Sequence, residues 1–467
     1  MTGSGGEAVP NASVAAPPRL SMGALRRRIL RGSAWVLGGR IVTTVLGFLI
    51  NALLARILNL NELGAFFTSY TLVVVGGIIA QLGLDRAVVR FVPSSLGTGR
   101  PGAARSAIRT VLGFGTLGSL VTAIVVLAGG GWVARTFYHS PVLAAAIPVT
   151  AGWLGVSAIQ SLFVETWRAF QRFDLATIFD QLLVDVLSVG VFAAFYVAHA
   201  HPGLSRVLLL SLGFSAIATL VAGVALLPRV RRLPRQGRTS GREILDMAWP
   251  ALVTNTAIYV LGTGVDVLVL GAFRPQHDVA IYGAAARLMM LVSTPYLILQ
   301  GVTPPIISEL WAQGRKSELE RALRSVSTLA GLPALLVLLV FVFFGGPALG
   351  LAFGPDFRQG AAILAVLSAG RVVAVSCGSS GITLMMTGHQ RELMTVTIAT
   401  GICSLAGEVL LAPHFGGLGV ACSTAAVAAV QNVAMYYLAK RLTGIRTVAE
   451  FSVGPFAEFL FGRRRAA

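Results

Sequence analysis

The chain has 467 residues, of which 55% are hydrophobic and only 12% charged, against roughly 25% charged in a soluble domain. Apolar runs of about 20 residues recur along it, which marks a polytopic all-α membrane protein and excludes both a soluble enzyme and a β-barrel built of alternating segments of roughly 10 residues. The formal net charge of +18 suits a polynucleotide partner only if it is not explained by topology.

In chain order, Met1–Leu20 is polar, rich in Pro and Ala and without an apolar core. Residues 1–31 therefore read as a disordered basic tail and not as a signal peptide. Arg26, Arg27, Arg28 and Arg31 precede a first span expected at 33–55, followed by spans at 65–84, 107–129, 143–164, 177–198 and 206–227. Residues 32–228 form the first lobe. The loop from Arg229 to Asp246 carries six arginines and reads as a basic cytoplasmic linker over 229–246. The second lobe, 247–440, has expected spans at 247–271, 282–305, 327–349, 361–386, 395–413 and 418–439. In the tail, 441–467, Phe451–Phe461 followed by Arg463, Arg464 and Arg465 suits an interfacial amphipathic helix, with a free tail as the alternative.

Twelve spans put both termini on one side. With the N-terminus in the cytoplasm, Arg56, Arg135, Arg206, Arg274 and Arg358 fall outside and Arg40, Arg287 and Arg371 fall within spans. The remainder of the 37 Lys and Arg lie inside. This positive-inside bias accounts for the charge without nucleic acid.

The first part of the chain recurs in the second. Ala34-Trp35 answers Ala248-Trp249, and Asn51–Ala55 answers Asp266–Leu270. Asn61–Phe66 answers His277–Tyr282, while Gly99-Arg100 and Arg109 answer Gly314-Arg315 and Arg324, all about 215 positions apart. Two similar six-helix lobes in the same orientation, related by an axis along the membrane normal, are the expected architecture.

No catalytic constellation is present: there is no P-loop, no G-x-S-x-G and no H-E-x-x-H. His199 and His201 read as solvated, and Cys377, Cys403 and Cys422 as small hydrophobes, so neither a metal nor a cofactor is expected. Charges inside spans are the informative residues, because each costs roughly 2.5–3.5 kcal/mol in hydrocarbon on an insertion scale. Arg40 and Arg371 lie too deep to reach a headgroup, and either receives an anion such as a phosphate or is paired internally. Asp266 and Arg287 reach similar depth on adjacent helices and read as a salt bridge, a coupling or substrate role being the alternative. Asp185 lies at the depth of Arg40 and is its candidate counter-ion. Glu408, without a local partner, is a candidate proton or sodium site. Arg86 and Arg90, at the inner end of the second span, read either as a receptor for phosphates or as topology anchors.

Four stretches resemble the polysaccharide flippase branch of the multidrug/oligosaccharidyl-lipid/polysaccharide exporter superfamily. Leu54–Phe66 resembles its first outer turn, and Gln81–Arg86 through Arg90-Phe91 its second-span exit. Val265–Gly271 with Val279–Gly283 resembles its central hairpin, and Thr387–Gln390 through Leu411–Ala421 its last two spans. The resemblance covers about Gly32 to Lys440. Asn61 replaces a usual Gly and Val267 an expected Arg, and the two extra spans of lipid II flippases are absent.

The resemblance implies two six-helix lobes in a V around a cavity, in a bacterial plasma membrane with cytoplasmic termini. It implies movement of polyprenyl-pyrophosphate oligosaccharides from the inner to the outer leaflet. The glycan headgroup would meet Arg40 and Arg371, with Arg287 less certain. Partner glycosyltransferases or a polymerase of the same pathway would be natural. A drug or organic-cation antiporter and a non-transporting scaffold of glycan assembly are the alternatives.

Overall fold

The computed structural model describes residues 22–237, 239–260, 265–300 and 303–449. Residues 1–21 of the N-terminal tail and the segment Phe451–Phe461, expected as an amphipathic helix, lie outside them, while residues 22–31, expected to be disordered, form the start of a helix. Sixteen α-helices follow one another without a strand among the described residues. They are α1 (Met22–Ile57), α2 (Leu60–Ala80), α3 (Leu84–Gly97), α4 (Pro101–Thr136), α5 (Pro141–Ala169), α6 (Phe173–Thr177), α7 (Leu183–Val197) and α8 (Gly203–Arg232). Then come α9 (Gly241–Val260), α10 (Asp266–Phe273), α11 (Gln276–Gln300), α12 (Thr303–Ala312), α13 (Lys316–Phe353), α14 (Ala361–Ser376), α15 (Ser380–Met386) and α16 (Gln390–Thr443).

Nine helices among the described residues are long and apolar enough to cross a membrane. One of them, α16, is two crossings. Gly416 has φ 57° and ψ −141°, a conformation open to glycine alone. Across it Ser423 Oγ donates to Ser404 O at 3.1 Å, a contact that a straight helix of 1.5 Å per residue could not make. Arg274 closes this hairpin by donating to Ala412 O at 3.2 Å and Pro413 O at 2.9 Å, satisfying carbonyls that the helix end leaves open. Helices α9 and α10 overlap the seventh expected span and α11 the eighth.

The repeat is visible in element order. A long helix, a short amphipathic helix and a very long helix succeed one another as α2, α3, α4 and again as α11, α12, α13. Both very long helices begin just after the matched Gly-Arg pairs, at Pro101 and Lys316.

Several spans differ from their expected extent: the seventh is divided into α9 and α10, the eighth ends at Gln300, and α4 and α13 run well beyond the lengths expected. The second ends at Ala80, and Leu84–Gly97 turns away as a separate helix with Leu84, Ala87, Val88 and Val92 buried and Arg86 and Arg90 exposed. That three-and-four spacing buries one stripe and leaves the charges in water. The tenth stops at Ser376, where Cys377 O accepts from Ser380 Oγ and Thr447 Oγ1, both at 2.8 Å.

Most arginines outside the spans gather at one end of the bundle, called the basic end below; α2 and α11 both start at the far end. There Asn59 caps α2, its side chain accepting from Glu62 N at 2.9 Å while Glu62 Oε2 accepts from Asn59 N at 3.3 Å. The other oxygen of Glu62 accepts from Leu204 N at 3.3 Å, tying in α8. One hydrophobic cluster crosses between the lobes, from Leu54 and Phe67 to Tyr282 and Phe353. A second, at the basic end, seats α3 among α4, α5 and α9.

Candidate functional site

The lobes meet along α2 and α11. At the far end Gly64 faces Gln276 so closely that a Cβ there would lie 1.9 Å from Gln276 O. Thr68 Oγ1 donates to Gln276 Oε1 at 3.1 Å. Tyr138 Oη donates to Leu268 O at 3.1 Å, and Arg56 Nη2 to Leu351 O at 2.6 Å. Farther along, Tyr70 and Ile79 on α2 and Met290, Leu291 and Leu297 on α11 are exposed. The seam is therefore shut at the far end by α2 and α11, while at the basic end α3 packs against α9, where a Cβ on Gly83 would lie 2.1 Å from Ala248 O and Asn255 Nδ2 donates to Asp85 Oδ2 at 3.2 Å.

Arg287 occupies the inner edge of this seam. Its guanidinium lies 3.5 Å from the centroid of the Phe67 ring, a cation–π contact across the lobes. Its Nη1 donates to Gly283 O at 3.0 Å. Tyr70 on α2 and Tyr259 on α9 are the neighbours that its charge reaches. No carboxylate among the described residues pairs with it. The salt bridge expected between Arg287 and Asp266 is thus not formed: the guanidinium turns to the Phe67 face, and the carboxylate is held elsewhere.

Asp266 begins α10 and is buried. Its Oδ2 accepts from Tyr282 Oη at 2.6 Å and Thr424 Oγ1 at 3.2 Å. The same threonine hydroxyl lies 3.4 Å from Glu408 Oε1, which also accepts from Ser404 Oγ at 2.8 Å. Glu408 Oε2 is buried without a partner among the described residues. Glu408, which has no partner nearby in sequence, is thus joined to Asp266 through Thr424 by the α16 hairpin. Arg371 on α14 completes this cluster at longer range, its charge acting on Asp266 and Tyr282 without a direct ion pair.

Arg40 is exposed on α1. At helical spacing it shares a face with Thr44, Gly47 and Asn51, whereas the exposed Ile41, Val45 and Leu49 occupy another. The polar face is the one suited to a chamber and the apolar one to lipid. The expected Arg40–Asp185 pair is not formed, and neither residue has an ion-pair partner among the described residues. The paired acid of that helix region is Asp180, bound by Arg168 at 2.6 Å. It sits in a π-helical turn at 178–182 whose carbonyls Phe179 O and Asp180 O accept from Gln160 at 2.8 and 2.9 Å.

Arg86 and Arg90 stand on α3 beside the start of α9. Arg86 Nε lies 3.7 Å from Asp85, and Arg90 Nη1 donates to Met247 Sδ at 3.8 Å. Sequence reasoning missed Phe67, Tyr70 and Tyr259 as companions of Arg287. Their signal was aromatic residues in spans whose neighbours are chiefly aliphatic or small, too common to single out.

Two helical lobes that meet along α2 and α11, with a cation and aromatic rings at that seam, make a two-lobed multi-pass membrane protein. The sequence profile of the family described as "Polysaccharide biosynthesis protein" matches residues 29–311, and the chain belongs to that family. The capsular polysaccharide biosynthesis protein CapF of Staphylococcus aureus is 24% identical over 201 residues, 43% of this chain and 50% of that protein. The uncharacterized membrane protein MJ1068 of Methanocaldococcus jannaschii is 20% identical over 421 residues, covering 85% of this chain and 81% of its own. Among solved structures, an inward-facing multidrug resistance MATE transporter superposes with a TM-score of 0.71 at 14% identity, over 86% of this chain and 95% of its own. The lipid II flippase MurJ, in an inward closed conformation, superposes at 0.69 and 12% identity, over 91% and 89%. These likenesses show the fold: two helical lobes.

Proposed function

We propose that the chain is a flippase for lipid-linked oligosaccharides, carrying a polyprenyl-pyrophosphate glycan from the inner to the outer leaflet of a bacterial plasma membrane. The observation that carries this reading is Arg287, a guanidinium held between the lobes on an aromatic face with no carboxylate pairing it among the described residues. A planar, permanently charged fork suits a diphosphate better than an organic cation, which such a charge repels. Arg40, on the polar face of α1, is the second cation offered to the headgroup. Arg371 stands with the carboxylates of the second lobe and acts through them. The basic end is cytoplasmic by the positive-inside rule, so the termini are cytoplasmic, and parting of α3 from α9 at that end admits substrate from inside. Arg86 and Arg90 flank that entrance.

The Asp266–Thr424–Glu408 group is the coupling element of this reading. Two ionised carboxylates in a low-dielectric interior repel, and a shared proton or a bound monovalent cation relieves that. Its occupancy changes the packing of α10 against the α16 hairpin, and α10 adjoins the seam. Rocking of one lobe on the other then carries the headgroup across while the polyprenyl tail stays in lipid. Glycosyltransferases and a polymerase acting on the same glycan are the natural partners.

The test is transport by purified protein in liposomes, with a fluorescent lipid-linked saccharide diphosphate and, separately, a cationic dye. The flippase reading expects the first to move and Arg287→Ala to abolish most of that movement. Movement of the dye alone would establish an antiporter. Indifference of glycan export to loss of both Arg287 and Arg40 would leave only a scaffold.

A further inference from the structure

Away from the seam, on the first lobe alone, α4, α5 and α8 enclose a groove of about 1070 Å³. Its mouth, at the basic end, is ringed by Arg105, Arg109, Arg231 and Arg235. Its walls are apolar: Leu112 from α4, Phe163 from α5, and Leu220, Val224 and Leu227 from α8. Leu220, Val224 and Leu227 are 67%, 61% and 46% exposed. Phe163 closes the floor against Gly223, where a Cβ would lie 3.0 Å from the ring.

The arginines are not neutralised. None of the four pairs with a carboxylate among the described residues, and the charges of Arg109 and Arg235 act on Arg105. Arg105 is only 6% exposed. Its Nη1 donates to Leu233 O at 2.6 Å and Arg231 O at 3.4 Å, which fixes the guanidinium at the mouth. Its Nε is buried with no partner among the described residues. A topology anchor would lie extended in water; this one is held in place beside an apolar slot.

Along α8 the lining runs from Ala216 to Arg231, about 22 Å at 1.5 Å per residue. That is enough to lay an acyl chain across one leaflet of a hydrocarbon core roughly 30 Å thick. We propose that the groove is a site for an anionic phospholipid of the leaflet on the basic side. The phosphate lies among Arg105, Arg109, Arg231 and Arg235, and one acyl chain lies along Leu220, Val224 and Leu227. A free phosphate would meet the arginines but leave this apolar wall uncovered, and a zwitterionic lipid would fill the wall without answering the charge. The site is separate from the seam, because none of its lining residues comes from α2 or α11.

The test uses the full-length protein in mild detergent, titrated with phosphatidylglycerol, phosphatidylcholine or inorganic phosphate and read by native mass spectrometry. The wild type should hold phosphatidylglycerol in preference to phosphatidylcholine, with no competition from phosphate at equal concentration. The triple variant Arg109→Gln, Arg231→Gln, Arg235→Gln leaves Arg105 and its carbonyl contacts in place. It should bind phosphatidylglycerol about 100-fold more weakly, since each surface cation contributes several-fold towards an anionic lipid. Val224→Trp, which narrows the apolar wall and keeps every charge, should also lose retention. Unchanged binding in the triple variant, equal retention of both lipids, or displacement by phosphate would each overturn the proposal. Transport of the glycan by the same variants is a separate readout, so failure here leaves the flippase reading standing.

Discussion

Asp266 and Glu408 approach the same hydroxyl: Thr424 Oγ1 is 3.2 Å from Asp266 Oδ2 and 3.4 Å from Glu408 Oε1. A hydroxyl has one proton to donate, so it can serve one carboxylate fully or both poorly. The interior of the second lobe thus contains a polar group whose arrangement depends on what joins the two acids.

Thr424→Val keeps the shape and removes that proton. The two acids lose a shared donor, which costs about 1–3 kcal/mol when a buried acceptor is left unmet. A fall in thermal unfolding temperature and a loss of stimulation by a proton or sodium gradient are expected, while binding of the headgroup persists. Gradient-stimulated transport equal to wild type would remove Thr424 from the coupling group. Glu408→Gln should abolish gradient stimulation with a smaller effect on stability, because its amide still fills the site.

Arg287→Ala removes a charge-assisted contact, of the kind worth about 1.5–3 kcal/mol, so binding of a lipid-linked diphosphate should weaken roughly 10- to 100-fold. Arg287→Lys keeps the charge but not the fork and should recover only part of the loss. A titration of binding in detergent reads both. If Lys restores wild-type affinity, the fork is not what recognises the ligand.

The two ends of the seam rely on different glycines, and their substitution should have opposite effects. Gly64→Ala puts a Cβ 1.9 Å from Gln276 O and so disfavours the shut far end. Gly83, at φ 72°, sits where a Cβ would lie 2.1 Å from Ala248 O, so Gly83→Ala disfavours contact of α3 with α9 at the basic end. Spin-label distances across each end should lengthen at the far end for the first variant and at the basic end for the second. Identical distance distributions would show that these contacts do not gate the seam.

Arg274→Ala uncaps the first arm of the α16 hairpin, leaving Ala412 O and Pro413 O without their guanidinium donor. A loss of about 1–3 kcal/mol in stability is expected, read as a lower unfolding temperature. Because the hairpin aligns Glu408 with Thr424, gradient stimulation should fall together with stability.

The sequence alone determined the class. Apolar runs of bilayer length, a positive-inside charge bias and a repeat at about 215 positions are local or periodic signals, and hydrocarbon enforces helices wherever they occur. The matched Gly-Arg pairs preceding Pro101 and Lys316 carried the repeat into structure.

Partners were decided only by the tertiary structure. Asp266 and Arg287 share a depth, yet depth does not fix direction: Arg287 turned across the seam to Phe67, and Asp266 turned to Tyr282 and Thr424. Glu408 acquired its partners only because the backbone reverses at Gly416, and Arg40 and Asp185, expected to pair, have no ion-pair partner among the described residues. Rotation about a helix axis and the packing of one helix on another set these contacts. Both depend on side chains far away in the chain, so helical periodicity could fix where along each span a charge sits but not what it meets.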